Sequence, residues 1–156
     1  MSQENTRRNL RRLAEALVND LGNHAPDGDA GVDAGIDAVS RALPRMIGAS
    51  APDAGLFHPL CAELVTTVAQ QVRAQAAAGD GDLFTVALTG EGDEDVGIDD
   101  VQPPLRAVLR AVLAELNDDS DDAAAQLAFI ATDPDPRGQA DALVHLVAWA
   151  HDLRRA

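Results

Sequence analysis

Apolar residues recur at spacings of three and four along almost the whole chain, and this periodicity constrains the fold more than any other feature. The clearest stripe consists of Phe57, Leu60, Cys61, Leu64, Val65, Val68 and Val72. Side chains at these spacings share one face of an α-helix. The stripe therefore predicts an amphipathic helix, with Pro59 at its first position and Gly79 as its stop.

Five further stretches carry the same pattern. Leu10 to Leu21 predicts a first helix ending near Gly22, and Val32 to Leu43 predicts a second helix interrupted by Pro44. The remaining three segments predict a helix opened by Pro103 and Pro104, a short Ala-rich helix capped by Ser120 or Asp121, and a terminal helix whose apolar face holds Leu143, Leu146, Val147, Ala150 and Leu153. We expect an all-α fold, a single compact bundle of five or six helices over residues 1–156, with the last two helices paired as an antiparallel hairpin.

Residues 83–89, LFTVALT, fit two structures. The alternation of Phe84, Val86 and Leu88 is typical of a strand, whereas Leu83, Phe84, Ala87 and Leu88 share a helical face. Asp82 could cap such a helix and Gly90 could end it. No convincing second strand is visible in the sequence, so the pattern favours a two-turn helix.

Composition narrows the classes of function. The net charge is −14, which argues against nucleic-acid binding, because neutralising phosphates requires a basic surface. Aromatic residues make up 3% of the chain, so a large small-molecule pocket is a poorer expectation. Cys61 is the only cysteine, and no apolar run is long enough to span a bilayer. With no visible secretory signal, the expected location is the cytoplasm.

The end of the chain contains a motif with possible chemistry. His151-Asp152-Leu153-Arg154 resembles the phospho-acceptor box of sensor histidine kinases. In that family a second helix and an ATP-binding domain follow the box, whereas five residues follow His151 here and the family's usual proline is missing. We therefore favour an ordinary packing helix, with His151 beside its apolar face.

For the other potentially reactive residues, the two histidines of the terminal helix and Cys61, we also favour a structural role. His145 and His151 are six residues apart, which turns them away from each other on a helix, so we predict no metal site and no cofactor. Cys61 follows His58 in a first helical turn, where a thiolate would be favoured, but it lies within the apolar stripe. A buried cysteine behaves as a small hydrophobe, and this is the interpretation we favour.

Acidic residues are concentrated in two segments. Residues 80–100 hold eight acids and no base, and residues 118–122 add four more. Glu91, Asp93 and Asp95 alternate as calcium ligands do in an EF-hand, but Val96 and Gln102 replace that loop's glycine and glutamate. We therefore expect a solvated acidic loop rather than a calcium site.

The distribution of charge suggests a function by contact. Candidate partner-binding acids are Asp93, Glu94, Asp95, Asp99 and Asp100. A candidate basic stripe on the first helix consists of Arg7, Arg8, Arg11 and Arg12. These charges either neutralise each other, within the fold or across a homodimer, or form a docking surface for a basic protein.

We predict a small acidic helical protein that acts by protein–protein interaction, as an adaptor, regulator or inhibitor. For such a protein we favour a non-enzymatic role. One alternative is a phosphotransfer or thiol-dependent module using His151 or Cys61. Another is a small-ligand-binding helical domain.

Overall fold

The fold is an all-α bundle. The computed structural model describes residues 3–23, 40–41, 43–48, 50–90 and 92–156. Its long helices are α1 (Gln3–Asn23), α2 (Phe57–Ala76), α3 (Pro103–Leu116), α4 (Ser120–Ala131) and α5 (Pro136–Arg155). Residues 43–46 form a further helical turn that contains Pro44, and short 3-10 turns cover Ala54–Leu56 and Ile98–Asp100. The predicted all-α bundle is confirmed, with five long helices in the described part of the chain.

One predicted helix cannot be compared with the structure. Its apolar positions Val32, Ile36 and Val39 lie outside the described residues, and so does the turn-rich stretch that precedes it.

Helix α2 lies at the centre of the bundle, in contact with α1, α3, α4 and α5. Its predicted stripe is confirmed, since Leu60, Cys61, Leu64, Val65 and Val68 are all buried. The face of α5 that the sequence predicted meets it, and Leu143, Leu146, Val147 and Ala150 are completely buried. The two faces form one continuous core with residues of the other three long helices. Burying these side chains is the main stabilising contribution to such a bundle.

The ends of α2 differ from those predicted. The helix begins at Phe57, so Pro59 occupies its third position, where the backbone N–H has no partner within the helix in any case. It ends at Ala76 rather than at Gly79, and Ala77 adopts a left-handed conformation with φ 48°. The N–H of Ala78 then donates to the carbonyl of Arg73 at 3.3 Å, which satisfies one of the last helical acceptors.

The beginning and the packing of α4 also correct the sequence prediction. Its N-cap is Asp119, whose carboxylate accepts from the N–H of Asp122 at 3.0 Å, rather than Ser120 or Asp121.

Helix α4 packs chiefly against α3 instead of forming a close hairpin with α5. The physical reason is size: Ala111, Ala114 and Ala123 are buried in these two helices, and small side chains let helices approach closely.

Residues 83–89 are not a helix, so that prediction is wrong. Residues 82–87 have no regular secondary structure, and Leu88–Thr89 forms strand β1. It pairs antiparallel with β2, Asp95–Val96, in the register Leu88 to Val96 and Thr89 to Asp95. The acidic loop itself supplies the second strand, so both strands of the sheet come from one short hairpin.

Candidate functional site

The predicted acidic docking segment is a β-hairpin with a defined turn. The N–H of Gly90 donates to the carbonyl of Glu94 at 2.8 Å, and the N–H of Asp93 donates to Gly90 at 3.2 Å. Asp93 has φ 57°, a left-handed conformation that aspartate tolerates better than most residues. The Glu94 carboxylate accepts from the N–H of Gly92 at 2.9 Å. The Glu94 carboxylate therefore stabilises the turn, and Asp93 and Asp95 are its neighbours in the chain on either side.

Half of the twelve acids in the two segments make contacts within the fold. Asp99 forms ion pairs with Arg106 at 3.4 Å and Arg110 at 3.2 Å, and Asp118 pairs with Arg73 at 2.9 Å. The others in this group are Asp82, Glu94, Asp119 and Asp122, which accept from a backbone N–H or from a glutamine amide. These six carboxylates support turns, caps and ion pairs, so folding accounts for them.

Five other acids have exposed carboxylates that make no hydrogen bond or ion pair with the described residues. They are Asp80, Asp93, Asp95, Asp100 and Asp121. Glu91 lies outside the described residues. Three of the five belong to the hairpin and to the 3-10 turn that follows it, so this part of the surface keeps uncompensated negative charge. The predicted docking acids thus divide into Asp93, Asp95 and Asp100, which remain available, and Glu94 and Asp99, which the fold already uses.

The basic stripe of α1 does not neutralise the acidic segments in the described structure. Arg7 and Arg11 approach the two carboxylate oxygens of Glu63 at 3.2 and 3.7 Å, while Arg8 and Arg12 are exposed. Glu63 and Arg73 both belong to α2, ten residues apart, which is about 15 Å along a helix. The basic stripe therefore pairs with Glu63 in the first half of α2, whereas Asp118 pairs with Arg73 near the C-terminal end of that helix.

Cys61 is a core residue, as the sequence indicated. Its side chain is 1% exposed, and burial raises the pKa of the thiol to about 12. A thiol with so high a pKa is almost entirely protonated at neutral pH, and the protonated form is a poor nucleophile. His58 points elsewhere, with its Nε2 3.3 Å from the carbonyl oxygen of Ala124 in α4. The structure does not bring the two residues together as a reactive pair.

The two histidines of α5 occupy different surroundings. The Nδ1 of His145 lies 2.7 Å from the carbonyl oxygen of Asp141, and its ring meets Trp149 edge to face at 6.1 Å. The His145 ring therefore contacts the backbone of Asp141 rather than its carboxylate. His151 is partly buried beside the apolar face of the helix.

An apolar groove lies between α2, α3 and α5, and the sequence interpretation missed it. The groove has a volume of about 350 Å³, and Phe84, Thr85 and Val86 form one side of it. Two of the four aromatic residues, Phe84 and Trp149, line its wall. The apolar residues Phe84 and Val86 were the available signal, and both line the groove together with Thr85.

Three comparisons with known proteins leave the chain without an assigned relative: no family model, no curated protein and no solved structure matches it.

Within the described ranges, no three His, Cys, Asp or Glu side chains are grouped so as to hold a metal ion. Among the helices in the described part of the chain, none combines the length and apolar character needed to cross a bilayer.

Proposed function

We propose that this protein acts by protein–protein contact and that its hairpin presents the surface for a basic partner. The observation that carries the proposal is the state of Asp93 and Asp95. Their carboxylates are exposed on a short hairpin and have no partner among the described residues, whereas neighbouring acids cap helices or pair with arginine. Fixed, uncompensated charge costs stability through self-repulsion and raises the rate of encounter with an oppositely charged protein.

Exposed apolar side chains next to the acids support the same function. Leu83 is 85% exposed and Val86 is 43% exposed, and both lie in the segment that leads into β1. Protein interfaces combine an apolar centre with a polar rim that remains accessible to water. Leu83 and Val86 would supply apolar contact area, and Asp93, Asp95 and Asp100 would steer the approach of the partner.

The test is a matched pair of charge variants. Asp93→Asn with Asp95→Asn removes two charges from the hairpin, and Asn suits the left-handed backbone of residue 93. Glu4→Gln with Asp141→Asn removes two exposed charges from α1 and α5 and serves as the control. Glu94 is left unchanged because its carboxylate holds the turn.

Partners are first identified by capture on the wild-type protein, and association rates are then measured at two salt concentrations. We expect the hairpin variant to associate more slowly than wild type at low salt, with a smaller difference at high salt as the Debye length shortens. The control variant should associate at close to the wild-type rate. Equal, salt-insensitive association of all three proteins would contradict the proposal and leave the acids a role in solubility. Sedimentation of the protein alone distinguishes a basic partner from self-association as a homodimer.

A further inference from the structure

The apolar groove has the size and lining of a small-molecule site. Its volume of about 350 Å³ falls within the range of ligand pockets, roughly 300–1,000 Å³. Helix α3 contributes Leu109 and Leu113, α5 contributes Trp149, and Phe84 and Val86 contribute from the segment before β1. Such walls favour an apolar ligand body, because binding removes apolar surface from water on both sides.

The wall formed by residues 84–86 is held in place before any ligand arrives. The N–H of Phe84 donates to Oδ1 of Asn117 at 2.8 Å, and Nδ2 of Asn117 donates to the carbonyl of Phe84 at 3.1 Å. The guanidinium of Arg73 lies over the Phe84 ring, 6.0 Å from the ring centre. A wall that is already positioned reduces the ordering cost of binding.

The groove surface is almost entirely apolar, and one charged residue, Asp152, lies at its edge. Among the residues that line it, Asp152 is the only charged one and Thr85 the only other polar one. Arg73, behind Phe84, is occupied by the carbonyl of Leu116 and the carboxylate of Asp118. The Asp152 carboxylate is exposed and forms no ion pair with the described residues. A ligand with an apolar body and a cationic end would complement both features.

We propose that the groove binds a primary amine with an alkyl or arylalkyl body, the ammonium group lying against Asp152 and the apolar body between Phe84 and Trp149. One water molecule occupies about 30 Å³ in the liquid, and a non-hydrogen atom with its hydrogens takes a similar volume. A groove of about 350 Å³ therefore accommodates about a dozen non-hydrogen atoms. Amines of eight to about ten carbons fit this limit. The groove shares Val86 with the proposed docking surface but none of its acids, and the tests change Asp152 in one case and Asp93 with Asp95 in the other, so either proposal can fail without the other.

The chain carries its own reporter for this site. Trp149 is the only tryptophan, the chain has no tyrosine, and the indole lies in the groove wall. The probes are n-octylamine, n-octanol and octanoate, which share one apolar body and differ in the charge of the end group. Titration is followed by Trp149 fluorescence and repeated by calorimetry.

We expect saturable binding in the order amine, alcohol, carboxylate. The amine should exceed the alcohol by roughly two- to fivefold, the range that an exposed charge pair supplies. Asp152→Asn should abolish this preference and leave the affinity for octanol unchanged. Asp141→Asn, an exposed acid on the same helix outside the groove lining, should keep the preference.

Leu113→Phe, which fills the groove, should weaken the binding of all three probes, with circular dichroism to verify the fold. The Asp152→Asn result does not depend on whether that filled variant folds. The proposal is overturned if no probe saturates, or if the amine preference survives in Asp152→Asn. It is also overturned if sedimentation shows a dimer whose formation alone produces the Trp149 change, since a second copy would then occupy the groove.

Discussion

The side-chain amide of Asn117 forms hydrogen bonds with both backbone groups of Phe84, its N–H and its carbonyl. Oδ1 accepts from the Phe84 N–H and Nδ2 donates to the Phe84 carbonyl, at 2.8 and 3.1 Å. The two residues are 33 positions apart in the chain, and Asn117 is also the C-cap residue that follows α3. This arrangement imitates the paired hydrogen bonds of an antiparallel sheet. It holds a segment without regular secondary structure against helices that offer it no strand partner.

Replacing Asn117 tests this relationship. Asn117→Ala leaves the partly buried N–H and carbonyl of Phe84 without their partners, and we expect a loss of about 1–3 kcal/mol in the free energy of unfolding. The detached segment should also expose Trp149, so acrylamide should quench its fluorescence more strongly. Asn19→Ala is the control, because Asn19 makes its hydrogen bond to Arg154 on the surface. Similar unfolding curves and similar quenching for the two variants would show that the Asn117 contacts do not position the segment.

Cys61→Ser tests the buried thiol. The hydroxyl would enter a site that is 1% exposed and surrounded by apolar side chains, so stability should fall by about 1–3 kcal/mol. Urea unfolding measures the loss. A thiol reagent should label the native protein slowly, because labelling requires opening of the core. Rapid labelling of the folded protein, with full stability of the serine variant, would show that Cys61 is not in the core.

The pH dependence of stability offers a second, independent test of the same residue. The folded pKa of Cys61, about 12, lies above its ordinary value of 9.0. The unfolded chain therefore releases the thiol proton first as pH rises, and it binds fewer protons than the native state between these two values. Stability is fully present below pH 9 and is lost towards pH 12, by up to about 1.4 kcal/mol for each pH unit.

The sequence makes this measurement unusually clean. The chain contains no lysine and no tyrosine, so Cys61 is the one side chain expected to titrate between pH 9 and 11. Unfolding free energies of wild type and Cys61→Ala, measured under reducing conditions across this range, should differ by a decreasing amount as wild type loses stability. Parallel curves for the two proteins would place the thiol in contact with water.

Helix α5 allows its two faces to be compared directly. Leu146 is completely buried, and Leu146→Ala should lower the free energy of unfolding by about 2–5 kcal/mol. His151→Ala and His145→Ala should have small effects, since both side chains are only partly buried. Denaturant unfolding of the three variants checks this order. Acid-labile phosphate on His151 of the native protein, or loss of cellular function from His151→Ala alone, would instead support the phosphotransfer hypothesis.

Local pattern was sufficient for most of the fold. Leu60, Leu64, Leu143 and Leu146 were assigned to the core from spacing, and each is completely buried. Spacing succeeds here because the apolar face of an amphipathic helix is determined by its own residues, whichever helix it meets. The ends of the helices were less predictable. Ala77 takes a left-handed backbone that glycine usually provides, so no residue type marked the end of α2.

Pattern was not sufficient where a distant residue decides the structure. Residues 83–89 suit a helix by periodicity, but Phe84 enters the groove beside Trp149 and is held by Asn117. The acidic loop likewise gave no strand signal until Asp95 and Val96 paired with Leu88 and Thr89. Short segments gain too little from local propensity to fix their own conformation, so tertiary contacts decide it.

The same division applies to the charges. The sequence by itself determined how many acids the two segments hold and that Cys61 lies on an apolar face. Only the tertiary structure decided that Asp99 pairs with Arg106 and Arg110 while Asp93 and Asp95 keep exposed carboxylates. A charge count depends on residue identity alone. An ion pair forms only when the fold brings a carboxylate and a guanidinium to within about 4 Å of each other.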